Sequence, residues 1–128
     1  MTNPSRPPVH NKSANRRDLT WSNSEKAIAN KTFDAALERE LQEVIQEVKR
    51  MASQIKEPSD LWDLERYLTE RRKEIDRKYD YRYAQLDLVF GRLLREKWIA
   101  EEDLRGLGED KLESIRSYAQ YVAGKDPA

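Results

Sequence analysis

Apolar residues through the middle of the chain fall in a helical rhythm. Leu37, Leu41, Val44, Val48, Met51 and Ile55 recur at intervals of 4, 3, 4, 3 and 4, which aligns them as the seam of one helix packing on another. Ile45 and Ala52 widen that stripe. Upstream, Ser22 and Glu25 have the S-x-x-E spacing of a capping box, so the helix is predicted to begin close to Trp21. Pro58 is predicted to close it, because a proline ring disfavours helical geometry in the residue before it and removes a backbone donor.

Ser59 or Asp60 is the expected cap of a second helix carrying Leu61, Leu64, Leu68, Ile75, Tyr79, Leu86 and Val89 at near-heptad spacing. No proline or glycine interrupts it before Phe90, and a helix from Asp60 to Lys97 would be about 57 Å long. Two long helices joined by a short proline-containing turn predict an antiparallel hairpin, a stalk over residues 21–97. Gly91 inside the second helix predicts a close contact or a bend. After Trp98 the texture changes. Glu101-Glu102-Asp103-Leu104 reads as a short acidic helix and Gly106-Leu107-Gly108 as a loop. A last helix has Leu112, Ile115, Ala119 and Val122 on one face, with Gly124 as its stop, and residues 98–128 are expected to form a small helical head.

The fold class is therefore all-α, and composition adds a subunit partner. A chain of 128 residues with 38% charged and 38% hydrophobic positions is one modest domain rich in surface. A lone hairpin leaves apolar area wet, so pairing into a dimeric helical bundle, a homodimer, is expected. Residues 1–20 hold Arg6, Lys12, Arg16 and Arg17 against Asp18, with Pro4, Pro7 and Pro8. They predict a disordered basic tail, either a solvated leader or an arm for an acidic partner.

Several classes of function lose support. The whole chain has zero net charge, which lacks the basic field of a nucleic-acid binder. Apolar runs such as Leu88-Val89-Phe90 are too short to cross a bilayer, the first residues carry no signal-peptide stretch, and no cysteine asks for an oxidising compartment. No membrane insertion and a cytoplasmic location are expected. The single histidine, His10, lies in the tail, which leaves no catalytic triad or di-iron motif. The four glycines never take phosphate-loop spacing. Asp76 and Asp80 stand among Arg72, Arg77, Lys78 and Arg82, and this reads as a solvated, ion-paired face. No catalytic residue, metal or cofactor is expected, and the chain reads as a protein-binding rather than an enzymatic one.

The conspicuous stretch is Leu61-Trp62-Asp63-Leu64-Glu65-Arg66-Tyr67-Leu68-Thr69-Glu70-Arg71-Arg72. Trp62 and Tyr67 among arginines have the composition of an interface hot spot. The same residues also fit a stalk core with solubilising arginines around it.

This stretch and its surroundings resemble the fluorescence recovery protein family of cyanobacteria. The matching pieces are Trp21-Ser22, Ala52-Ser53-Gln54-Ile55, Asp60-Leu61-Trp62, Arg72, Glu74-Ile75-Asp76, Lys78-Tyr79-Asp80, Arg82, Val89-Phe90, Leu93-Leu94 and Asp110-Lys111, spread from Trp21 to about Tyr118. The resemblance implies a helical dimer with a stalk and a head. It further implies a partner, the orange carotenoid protein, whose C-terminal domain the family binds while speeding return from the red to the orange state. Trp62 and Arg72 match residues of the family's dimer and partner surface. Glu65 and Arg66 stand where the family pattern has His and Asp, Leu88 where it has Phe, and Ser114 where it has Lys. Those four departures give the alternative, a fluorescence-recovery-like helical dimer with a different protein partner in an organism lacking orange carotenoid protein.

Overall fold

The computed structural model describes residues 19–125. The predicted tail over 1–20 therefore lies almost wholly outside the described residues. Among the described residues four α-helices and a short 3-10 turn follow in order: α1 Asn23–Ser53, α2 Pro58–Lys78, α3 Leu86–Arg95, the 3-10 turn Glu101–Leu104, and α4 Glu109–Lys125. No strand occurs among the described residues.

The start of α1 is the predicted capping box. Ser22 Oγ accepts from the Glu25 amide at 3.1 Å, and Glu25 Oε1 accepts from the Ser22 amide at 2.9 Å, so two orphan donors of the first turn are satisfied. The same carboxylate reaches across the molecule. Its Oε2 accepts from the Gly108 amide at 2.7 Å and its Oε1 lies 3.0 Å from Lys111 Nζ. The start of α1 is thereby clipped to the start of α4.

Pro58 does not close α1 directly, because α1 ends at Ser53 and Pro58 is the first residue of α2. That position suits proline, whose missing N–H would have no partner there anyway. The expected cap at Ser59 or Asp60 is likewise corrected to Glu57. Asp60 still contributes, since its Oδ2 accepts from the Lys56 and Glu57 amides at 2.9 and 3.0 Å. The chain turns over 54–57 and α2 runs back along α1, so Arg71 and Lys78 reach Glu40.

The second helix is shorter than its uninterrupted spacing through Phe90 predicts. It stops at Lys78, and seven residues separate it from α3. Neither glycine nor proline breaks it. Tyr79, Tyr81 and Tyr83 alternate along this segment, which turns instead of continuing the helix: the Arg82 amide donates to the Asp80 carbonyl at 3.0 Å and the Gln85 amide to the Arg82 carbonyl at 2.8 Å. Tyr79 and Tyr81 set their rings edge-on to Phe33 at 5.4 and 4.8 Å, while Tyr83 lies 6.1 Å from Trp21. Two aromatic contacts with Phe33 of α1 and one with Trp21 just before it outweigh the helical propensity of the segment.

The core gathers Trp21 and the first half of α1, through Ala29, Phe33 and Ala36, with Leu86, Val89, Phe90 and Leu93 of α3. Ile99, Leu104, Leu107 and Ile115 close it. Residues that were expected within the stalk thus form the centre of the head. The close contact expected at Gly91 is present. A Cβ there would lie 2.9 Å from Tyr118 Cδ2 and 3.0 Å from the Ile115 carbonyl oxygen, so the missing side chain lets α3 and α4 approach. The predicted acidic turn at Glu101–Leu104 is also present, whereas Gly124 lies inside α4 instead of stopping it. At the end of α3 the Trp98 and Lys97 amides donate to the Leu93 and Leu94 carbonyls at 2.9 and 3.1 Å. This is a Schellman closure with Lys97 at φ 70° in the place usually held by glycine.

Candidate functional site

Beyond the head, the paired helices carry apolar side chains that the chain itself leaves uncovered. Leu41 and Ile45 of α1 and Leu61, Trp62 and Leu68 of α2 are exposed, Trp62 by 62%. Of the seam expected along α1, only Val44 is buried within the chain; Leu37, Val48, Met51 and Ile55 are half-buried and Leu41 is open. Trp62 is therefore not a core residue of one chain, and Tyr67 is half-buried.

Helical spacing places Trp62, Glu65, Arg66 and Arg72 on one side of α2, with Leu61 and Leu68 along its edge. All four are exposed. Arg66 Nη1 lies 3.3 Å from Asp63 Oδ1, and Arg72 Nε lies 3.9 Å from Asp76 Oδ2, both pairs in solvent. Such pairs contribute little and leave the guanidinium groups available to an incoming partner.

Leu88 and Ser114 sit elsewhere. Leu88 lines a cleft of about 190 Å³ at the α2–α3 break, beside Arg77, Lys78, Gln85, Arg92 and Tyr118. Ser114 is half-buried, and its hydroxyl donates to Asp87 Oδ2 across the α3–α4 contact. The structure thus gathers four of the expected site residues on α2 and assigns the other two to the head.

Reading the charges as a solvated face fails at one place. Lys78 is buried; its Nζ donates to Glu40 Oε2 of α1 at 2.8 Å and to Glu96 Oε1, just past α3, at 2.6 Å. Arg71 Nη2 and the Tyr79 hydroxyl donate to the two oxygens of Glu40 at 3.0 and 2.8 Å, and Arg92 Nε donates to Glu96 Oε2 at 2.8 Å. Burial disfavours the Glu96 anion, but these two cations hold its pKa below the ordinary carboxylate value. Burial and the Glu40 carboxylate together push the Tyr79 phenol well up, so it stays a donor. The overlooked signal was positional: Arg71 and Lys78 occupy helical positions in line with Leu64 and Ile75, where an apolar residue was due. Arg72 with Asp76 and Asp80 with Arg82 do remain exposed or near-surface pairs.

Among the described residues no cluster of three or more His, Cys, Asp or Glu could hold a metal, and no helix is long and apolar enough to cross a membrane.

Comparison with known proteins gives one consistent result. Residues 21–119 match the family described as photoprotection regulator fluorescence recovery protein. The fluorescence recovery protein of Synechocystis sp. is 39% identical over 103 residues, covering 80% of this chain and 94% of that protein. The solved structure of the Fremyella diplosiphon fluorescence recovery protein is similar with a TM-score of 0.75 and 42% identity, over 79% of this chain and 99% of the other. The Synechocystis structure gives a TM-score of 0.75 at 39% identity over the same shares.

Proposed function

This chain belongs to the fluorescence recovery protein family, a family of photoprotection regulators, and from that premise we propose that it binds the C-terminal domain of an orange carotenoid protein and speeds its return from the red to the orange state. The observation that carries the reading is the uncovered Trp62 on α2, flanked by exposed Leu61 and Leu68. A large aromatic held in water on a rigid helix is the kind of anchor from which interfaces draw most of their energy. A scaffold that grips the closed arrangement of its partner, or the barrier leading to it, better than the open one shifts the population or the rate without covalent chemistry. It acts as a homodimer in the cytoplasm. Leu41 and Ile45 join the Leu37-to-Ile55 stripe on α1, and a second copy would cover apolar area that one chain leaves in water.

The test is the dark decay of photoactivated orange carotenoid protein, followed by absorbance with and without this chain. Acceleration at substoichiometric amounts supports the reading; an unchanged decay overturns it.

A different protein partner is the second reading, favoured by Glu65 and Arg66 standing exposed beside Trp62. Any partner docking on the tryptophan meets their charges, and a partner complementary to an acidic residue at 66 meets like charge. Under that reading Arg66→Asp raises the acceleration of a cyanobacterial carotenoid protein, and Glu65→His alone does less.

A further inference from the structure

We propose that Lys78, gripped between Glu40 and Glu96, is a positioning residue that fixes the angle between α2 and the head, so that the Trp62 side of α2 and the Leu88 cleft present one surface to the partner. The partner half of this statement rests on the proposed function; the geometric half does not.

The break between α2 and α3 creates the need. A continuous helix transmits orientation along its axis, but residues 79–85 are not helical, so the direction of α3 relative to α2 must be set by side chains. Lys78 is the last residue of α2, Glu96 follows the last residue of α3, and Glu40 lies midway along α1. One ammonium therefore joins three elements at a point. Its two bonds, at 2.8 and 2.6 Å, lie where Lys78 and Glu40 side chains are each only 3% exposed.

Stability alone is a poor account of such an arrangement. Desolvating two or three charges offsets most of their attraction, and apolar groups of equal size often serve as well or better. What charges add is direction, because each hydrogen bond demands a donor at a set distance and angle. Arg71 and Tyr79 pin the Glu40 carboxylate, and Arg92 pins that of Glu96. Neither carboxylate can follow a swinging lysine. Lys78 and Arg92 also line the cleft that holds Leu88, so the lock and the cleft share walls. A head that rotated away would open the cleft and change the position of Leu88 relative to Trp62.

The experiment uses the full chain, which contains no cysteine, with spin labels on Glu70→Cys and Glu113→Cys. Both sites are exposed, one on α2 and one on α4. Labelled chain is diluted with unlabelled chain so that pulsed dipolar spectroscopy registers distances within one chain only. The native sequence should give one narrow distribution. The neutral variant Glu40→Gln, Lys78→Met, Glu96→Gln should keep its helix content but broaden the distribution, and its acceleration of red-to-orange recovery should fall about tenfold. Should that variant fail to fold, Glu96→Gln removes one arm of the lock from a partly exposed site, and an intermediate broadening is expected. A folded variant with a distribution as narrow as the native one overturns the lock. Broadening with undiminished acceleration overturns its role in presenting one surface. If the native chain accelerates no recovery, the proposed function fails while the distances still decide the geometric half.

Discussion

The two ends of the molecule bury their apolar residues differently. In the head, Leu86, Phe90, Leu93, Leu104 and Ile115 are inaccessible within one chain, whereas the paired helices leave Leu41, Ile45, Leu61, Trp62 and Leu68 exposed. The head is a self-sufficient core. The long helices carry apolar side chains that one chain leaves uncovered, and substitutions at the two ends should separate stability from the proposed association.

The largest loss of stability is expected from Phe90→Ala, which empties the centre of the head. Removing a fully buried phenylalanine costs about 3–5 kcal/mol, a large part of what a domain of this size has to lose. Urea denaturation followed by circular dichroism measures it. A loss below about 1 kcal/mol would show that the head core is not the dominant unit.

Gly91→Ala sharpens the same contrast from the backbone side. Alanine favours a helix by up to about 1 kcal/mol over glycine, but here its methyl meets Tyr118 and the Ile115 carbonyl at 2.9–3.0 Å. Overpacking should win, giving a net loss of about 1–2 kcal/mol in the melting of the head. An unchanged or raised melting temperature would mean that α3 and α4 can separate freely.

The elements most legible in the sequence were those encoded locally. The Ser22–Glu25 box, the acidic turn at Glu101–Leu104 and the special contact at Gly91 each rest on residue types with one dominant structural use. The break after Lys78 was not legible as a helix end, because Tyr79, Tyr81 and Tyr83 act through distant Phe33 and Trp21. The break also moves Leu86, Val89, Phe90 and Leu93 into the head core, whereas a continuous helix would carry them along the stalk. The exposed face around Trp62 could be proposed from composition, yet the sequence left core and surface equally open for it. Lys78 was hidden for a different reason. A lysine among arginines and aspartates looks solvated until Glu40, 38 residues away, is seen to meet it.

A smaller, pH-dependent effect should mark the clip between α1 and α4. Burial raises the Glu25 pKa, but hydrogen bonds from the Ser22 and Gly108 amides and from Lys111 outweigh it and bring it from 4.5 down to about 2. A depressed folded-state pKa contributes stability above the unfolded value, lost as pH falls through the folded one. The melting temperature should therefore decline from about pH 5 toward pH 2, and Glu25→Gln should be less stable at neutral pH with a shallower decline. An equally steep decline in that variant would assign the acid sensitivity to other carboxylates.

Whether the uncovered side of α2 acts on the proposed partner is decided by the red-to-orange dark decay of a cyanobacterial orange carotenoid protein, measured with the native chain and with Trp62→Ala at matched concentration. Recovery should be faster with the native chain and about tenfold less accelerated by the variant, while the head melts unchanged because Trp62 contributes nothing to its core. Equal acceleration by the two proteins would contradict a role for that side of α2.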